Sequence, residues 1–286
     1  MNANTMTKKP SADQLASWTF RAPARRMAEI PDEIREALTS GWIESKNLVE
    51  WLCVDRLELF KHVASELNLE KSVERQIAEL PKASALKQSL AIGTLLAQSI
   101  SLGDPVFQSM TVHPSDIVRE CSAALIGAKE GISLKKRFSW VKQLADDENP
   151  GVREIAWIAV RNRVIAELDV AIDCLIPWTG SRRERLRRYA SEITRPCGVW
   201  AAHIPRLKQT PELGLPILEP LRADPSKYVR DSVANWLNDA SKTHGPWVKQ
   251  VAARWTKESR CDETDAIVKR ALRTLRKKTA ESSGTR

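Results

Sequence analysis

The chain has five cysteines, Cys53, Cys121, Cys174, Cys197 and Cys261, and no C-x-x-C pair. An odd, unpaired set does not make a disulfide framework, and these residues read as buried thiols of a reducing compartment. The four histidines, His62, His113, His203 and His244, form neither an H-x-x-x-H nor an H-E-x-x-H pair, so metal chemistry is not expected. There is no Gly-rich phosphate loop and no G-x-S-x-G elbow, which removes two common routes to nucleotide and acyl-transfer chemistry. No window approaches 18 uninterrupted apolar residues, so no membrane span is expected. The opening MNANTMTKKPSAD has no apolar core of the kind a signal peptide needs. Hairpin dipeptides between alternating strands are missing, as is any βαβ alternation, which leaves an all-α reading.

What is present is basic and helical. Net charge is +9 with a pI near 9.4, a balance that favours polyanionic partners. Ten Trp stand beside four Phe and two Tyr, so Trp must supply most aromatic packing or half-wet surface. At 286 residues the chain exceeds the usual single core, and either two domains or one elongated array fits. Residues 1–20 read as a polar tail. Pro31 and Asp32 predict a helix start and Ser40-Gly41 its end. Over 46–68, Leu48, Trp51, Leu52, Leu59, Val63 and Leu67 keep a 3.6-residue period, predicting one nearly continuous helix.

A repeat then appears. Four times a polar turn is followed by an arginine and a small-residue helix, with Arg119, Arg153, Arg187 and Arg230 spaced 34, 34 and 43 residues apart. A weaker unit follows at Lys269. In the best-defined unit, Asp224-Pro225-Ser226 makes the turn and the helix starts at about Lys227. Val229, Val233, Trp236 and Leu237 are its apolar row, and His244-Gly245-Pro246 is expected to end it. Such repeats predict a HEAT-like solenoid in which stacked helix pairs bury a continuous core. The expected organisation is one repeat domain over 21–278, about six pairs in a right-handed curved array, with tails at 1–20 and 279–286. An Asp of one turn and the Arg of the next can form a ladder along the edge. That is the structural role expected for Arg119, Arg153 and Arg230.

Two basic clusters could carry chemistry: Arg182, Arg183, Arg185, Arg187 and Arg188, continued by Arg195, Arg206 and Lys208, and then Lys269, Arg270, Arg273, Arg276, Lys277 and Lys278. A solvated helix face is the plain reading. Arginine without lysine, however, suits forked contacts to phosphate oxygens. The carboxylates on second helices are Glu154, Glu192 and Asp239; each, taken alone, is more often a salt-bridge partner than a catalyst.

RRYASEITRP (187–196), Trp200, DPSKYVRDSVANWLNDASKTH (224–244), RWTKES (254–259) and IVKRALRTL (267–275) resemble the bacterial AlkC group of DNA alkylation repair enzymes, relatives of AlkD. The resemblance is sharp over 182–275 and looser over 110–180. It implies a monomeric HEAT-like solenoid that binds duplex DNA and excises cationic alkylated purines, chiefly N3-alkyladenine, without metal or cofactor. It implies a bacterial cytoplasmic protein, associated with the nucleoid when bound. It puts the functional arginine at Arg188 and carboxylates at Glu192 and Asp239, with Glu154 as a further candidate. DNA contacts are expected from Arg182, Arg183, Arg185, Arg187, Arg188, Arg195, Arg230, Lys269 and Arg270, and from the rings of Trp157 and Trp236. Arg188, Glu192, Trp236 and Asp239 should share one concave surface.

The sequence departs from the family in places. Trp157 stands where the resemblance implies a catalytic Glu, Trp236 replaces a usual His, Ile193 a usual Gly, and Cys197-Gly198-Val199 a usual Arg-Leu-Pro. Two alternatives accompany the glycosylase: a DNA-binding or damage-sensing homologue without catalysis, and a protein-binding solenoid with an acidic partner.

Overall fold

The computed structural model describes residues 9–198 and 200–277, and every regular element among them is helical. The chain divides into two compact units, Met1–Leu125 with Asn149–Val152, and Ile126–Glu148 with Arg153–Arg286. The helices before the first clear repeat are α1 (Ala12–Thr19), α2 (Asp32–Thr39), α3 (Leu48–Cys53), α4 (Arg56–Val63), α5 (Lys71–Ala78) and α6 (Ala85–Ser99). The repeats follow as α7 (Pro105–Thr111), α8 (Asp116–Ala128), α9 (Leu134–Ala145), α10 (Pro150–Ala166), α11 (Leu168–Thr179) and α12 (Glu184–Ile193). The rest are α13 (Pro205–Gln209), α14 (Leu215–Leu218), α15 (Lys227–Ala240), α16 (Gly245–Ser259) and α17 (Asp262–Ala271).

Local chemistry sets the boundaries. Helix α2 begins after Pro31 with Asp32 and Glu33 in its positive first turn, and the chain leaves through Gly41 at φ 77°. The expected continuous helix over 46–68 is broken. Asp55 accepts hydrogen bonds from the backbone N–H groups of Leu57 and Glu58 at 3.0 and 3.1 Å, capping a new helix. Buried Arg56 donates to the carbonyls of Val54 and Trp51 at 3.1 and 3.4 Å, taking acceptors that a continuous helix would have used. Part of the expected tail is ordered as α1, capped by Ser11, with Trp18 buried and stacked on Trp42 at 6.4 Å. Residues 1–8 and 279–286 of the expected tails, and residue 278 of the expected repeat domain, lie outside the described residues. Gly245 and Pro246 do not end α15, which closes at Ala240; they open α16, where Pro246 occupies the first turn and needs no donor.

The repeat arginine does the same job four times. Its Nη1 donates to the carbonyls six and five residues upstream, stapling the turn to the helix it precedes. Arg119 holds His113 and Pro114 at 2.6 and 3.1 Å, and Arg153 holds Asp147 and Glu148 at 2.6 and 2.9 Å. Arg187 holds Ser181 and Arg182 at 2.8 and 3.3 Å, and Arg230 holds Asp224 and Pro225 at 3.0 and 2.7 Å. A turn aspartate pairs with a repeat arginine at Arg187, which takes Asp224 of the following turn at 2.6 Å. Arg187 is not among the three arginines expected in the ladder, and the order is the reverse of the one expected. Elsewhere the remaining donors go to other partners, Glu44 for Arg119 and the Tyr228 hydroxyl for Arg153. The longer third interval is an insertion holding α13 and the short 3-10 turn Pro211–Gly214.

Small residues let second helices approach. A Cβ at Gly93 would overlap Ala124 of α8, and one at Gly127 would overlap the backbone of Ala159 in α10. Trp residues fill layers: Trp178 packs on Phe138 and Tyr189, and Trp236 on Trp247. Gly93→Ala should therefore lower stability by about 1–3 kcal/mol. Gly103→Ala, where nothing lies within 4 Å of the added carbon, should stay within about 0.5 kcal/mol of the parent. Urea unfolding of both variants checks the contrast.

Candidate functional site

The second helices α10, α12 and α15 each contribute a charged residue to one line. Glu154 follows the staple of its repeat and Arg188 follows the next, so the two occupy equivalent positions one repeat apart. Carrying opposite charge, they pair at 2.6 Å between Glu154 Oε1 and Arg188 Nη1. One turn along α12, Glu192 Oε2 lies 3.4 Å from Arg188 Nη2 and accepts the Ser232 hydroxyl at 2.7 Å. Arg195 donates Nη1 to Glu192 Oε1 at 2.7 Å, and both Nε and Nη2 to Asp239 Oδ2 at 2.9 and 2.8 Å. Lys242 closes the line on Asp239 Oδ1 at 2.8 Å. Three carboxylates thus alternate with three cations.

Burial makes the line consequential. Glu192 and Asp239 are each about 5% exposed. Burial pushes the Glu192 carboxyl up, but Arg188, Arg195 and the Ser232 hydroxyl outweigh it and leave it below the ordinary carboxylate value. Burial pulls Arg188 down, and Glu192 with Glu154 more than restores it, so the guanidinium stays charged. Because the Glu192 value is depressed, its stabilising contribution is complete above the ordinary carboxylate range. That contribution is lost as pH falls through the folded value.

Tyr228 was not singled out by sequence. Its ring lies 5.0 Å from the Arg188 guanidinium and 5.3 Å from that of Arg153, and its hydroxyl accepts Arg153 Nε at 3.2 Å. The available signal was its place two residues before the staple Arg230, where the other repeats have Ile117, Gly151 and Arg185.

The remaining predicted residues separate. Arg182 and Arg183 are exposed before α12, and Arg183 lies 3.6 Å from Asp146. Arg185 forks onto Glu148, while Arg187 is taken by Asp224 and its own turn. Arg230 is a staple. Lys269 is exposed, and Arg270 reaches Asp231 at 3.2 Å and Asn235 at 3.3 Å on α15. Two expectations need correction. Trp236 is fully enclosed, with its ring beneath Gly214 and against Trp247, so it has no face to offer a ligand. Trp157 is 3% exposed, with Nε1 donating to Glu154 Oε2 at 2.8 Å and the Arg161 guanidinium 5.8 Å from its ring. It belongs to the support of Glu154. The indole that is open is Trp200, 67% exposed in the loop after α12.

No family model matches the chain. Over 120 residues it is 46% identical to the uncharacterized protein YhaZ of Bacillus subtilis (strain 168), a match covering 42% of this chain and 33% of that protein. Among solved structures it is similar to the Pseudomonas fluorescens alkylpurine DNA glycosylase AlkC bound to DNA containing an abasic site analogue. There the TM-score is 0.62 and the identity 25%, over 77% of this chain and 63% of that one. It is also similar in fold to AlkD2 from Streptococcus mutans, with TM-score 0.56 and 23% identity over 71% of this chain and 97% of that one. The match thus spans about a third of the curated relative and less than two thirds of the AlkC chain. Fold and repeat define a HEAT-like helical-repeat protein. Within that class the chain is similar in fold to AlkC and AlkD2.

Because Trp157 is enclosed, Trp157→Glu should bury a carboxylate beside Glu154 and lower stability by several kcal/mol, on the order of 3 or more. A melting temperature within a degree or two of the parent would return Trp157 to the open face.

Proposed function

We propose that the protein binds alkylated duplex DNA and acts as an alkylpurine DNA glycosylase, with N3-alkyladenine its principal lesion. The observation that carries this reading is the pair Glu192 and Asp239, ionisable groups on successive second helices joined through one guanidinium. Alkylation at N3 or N7 puts positive charge on the purine, so the base is already a fair leaving group and little general acid is needed. The barrier lies in the oxocarbenium-like sugar. A carboxylate about 4 Å away is worth roughly 4 kcal/mol at an effective dielectric near 20, or about three powers of ten in rate. Glu192 and Asp239 are assigned to that stabilisation and to orienting the attacking water, with Glu154 holding Arg188 toward them. No cofactor is called for, because the alkylated base supplies its own leaving-group charge. Exposed Arg182, Arg183 and Lys269 are assigned to phosphate oxygens.

One observation favours a second reading, a DNA-binding homologue that has lost turnover. Trp157 fills the place where a carboxylate was expected, and it is enclosed.

The test is release of free base from duplex DNA carrying N3-methyladenine. Glu192→Gln and Asp239→Asn should each lower it by about two to three powers of ten while DNA affinity holds or rises. Steep salt-dependent binding with no base release by the parent protein would select the second reading. Each neutralised phosphate contributes roughly −0.9 to the slope of log affinity against log salt. Replacing Arg182, Arg183 and Arg185 together by Ala should flatten that slope; an unchanged slope would place the cluster away from DNA.

A further inference from the structure

The repeat register exposes an arginine whose role differs from that of its counterparts. Eight residues after each staple, one residue of the chain meets the following repeat. In α10 that residue is Arg161. It donates to the carbonyls of Ile193 and Arg195, both at 2.5 Å, and to that of Ala202 at 3.0 Å, closing the C-terminal end of α12. In α15 it is Asn238, which donates to the carbonyl of Ala271 at 3.0 Å, closing the end of α17. In α8 it is Gly127, where α10 comes too close for any side chain.

The equivalent residue after α12 is Arg195, and by register it should close the end of α15. Among the described residues it makes no such bond. Helix α15 closes itself, with Ser241 N–H donating to Leu237, His244 N–H to Ala240 and the Ser241 hydroxyl to Asn238. All three donor nitrogens of Arg195 go to Glu192 and Asp239.

We propose that Arg195 is a positioning residue that holds Glu192 and Asp239 in fixed register with each other, and not a phosphate contact. The guanidinium is half the reason two buried carboxylates from different repeats can stand side by side. It bonds one oxygen of each, leaving Glu192 Oε2 to Ser232 and Arg188, and Asp239 Oδ1 to Lys242. A lysine cannot reproduce this, because the bridge needs donors fixed in one plane and pointing two ways. The charged groups around the pair are Arg188 and Arg161 toward Glu192, and Lys242, Arg161 and Arg273 toward Asp239. With Arg195 gone, burial of Glu192 would be opposed chiefly by Arg188, so its carboxyl should titrate at higher pH than in the parent.

The catalytic consequence rests on the proposed glycosylase, but the bridge is testable without turnover. Carboxylate carbons can be followed by NMR titration, with the Glu192 and Asp239 signals assigned by their loss in Glu192→Gln and Asp239→Asn. In Arg195→Gln the Glu192 signal should titrate at higher pH. In Arg195→Lys, which keeps the charge, it should stay close to the parent. On N3-methyladenine DNA both variants should bind with parental affinity and salt slope, yet lose about a hundredfold in single-turnover base release, the scale of a misplacement near 1 Å. The acid limb of the rate should move up in Arg195→Gln only. An unshifted Glu192 titration in Arg195→Gln, or full activity in Arg195→Lys, would overturn the proposal. A loss confined to affinity, with a flatter salt slope, would also overturn it by making Arg195 a phosphate contact. A shifted Glu192 titration in Arg195→Gln, with a parent protein that releases no base, would support the bridge while removing the glycosylase.

Discussion

The structure depends on a guanidinium bound to the two carbonyls that precede each second helix. A helix start leaves donors unsatisfied, and the turn before it leaves acceptors unsatisfied. One arginine per repeat ties off the acceptors and sets the angle at which the turn enters the helix. Arg119, Arg153, Arg187 and Arg230 do this with the same Nη1 and the same offsets. Charged hydrogen bonds to carbonyls contribute about 1.5–3 kcal/mol each, and repeated stapling keeps successive second helices in common register. Only with register fixed can single residues from different repeats be aimed at each other across tens of positions in sequence.

Register makes the site intelligible as a departure from repetition. The residue after the staple is Glu120, Glu154, Arg188 and Asp231 in turn. Glu120 is sealed beneath Trp51, whose Nε1 bonds it at 2.6 Å, and burial together with Asp116 pushes its carboxyl up to about 8. Glu154 keeps an open side and meets Arg188, and Asp231 is spent on Lys227 and Arg270. The same backbone position thus yields a buried core acid, the two halves of a site pair and a surface bridge. Sequence register identifies the position; the neighbours decide the chemistry.

The balance of what could be read in advance follows from this. Helical class, repeat, staple positions and the start of α15 at Lys227 are local or periodic, and all were legible. The resemblance also named Arg188, Glu192 and Asp239, which the structure joins in one line of ion pairs, and with them Trp236, which it encloses. The enclosure of Trp157 and Trp236 was not legible, because an indole at helical spacing has the same sequence signature on a core face as on an open one. The five-arginine run also read as one surface. The structure divides it, since a side chain's nearest acceptor belongs to another repeat some 37 residues away, as Asp224 does for Arg187. The break at Asp55 was missed because apolar periodicity survives a capped interruption of two residues, Val54 and Asp55.

The division of that run bears on how affinity and chemistry are kept apart. The line from Glu154 to Lys242 holds as many carboxylates as cations, so it presents little net charge and exerts little pull on a distant phosphate. Whatever draws a polyanion must lie outside it. Arg187 is not a candidate: its partner Asp224 is buried, and removing one member of such a pair costs about 3–5 kcal/mol. Arg185 differs, because Glu148 is 80% exposed and an exposed pair is worth about 0–1 kcal/mol. A phosphate can take the Arg185 fork at little cost while water receives Glu148. On the proposed reading, Arg182, Arg183 and Arg185 therefore attract and orient the duplex and carry the salt dependence. The line itself, with its charges paired within the protein, would gain by being insensitive to salt. On that reading, phosphate binding and the carboxylates are kept apart by commitment: Arg182, Arg183 and Arg185 are exposed or hold exposed or half-exposed acids, whereas each cation within the line is already committed to a carboxylate of that line.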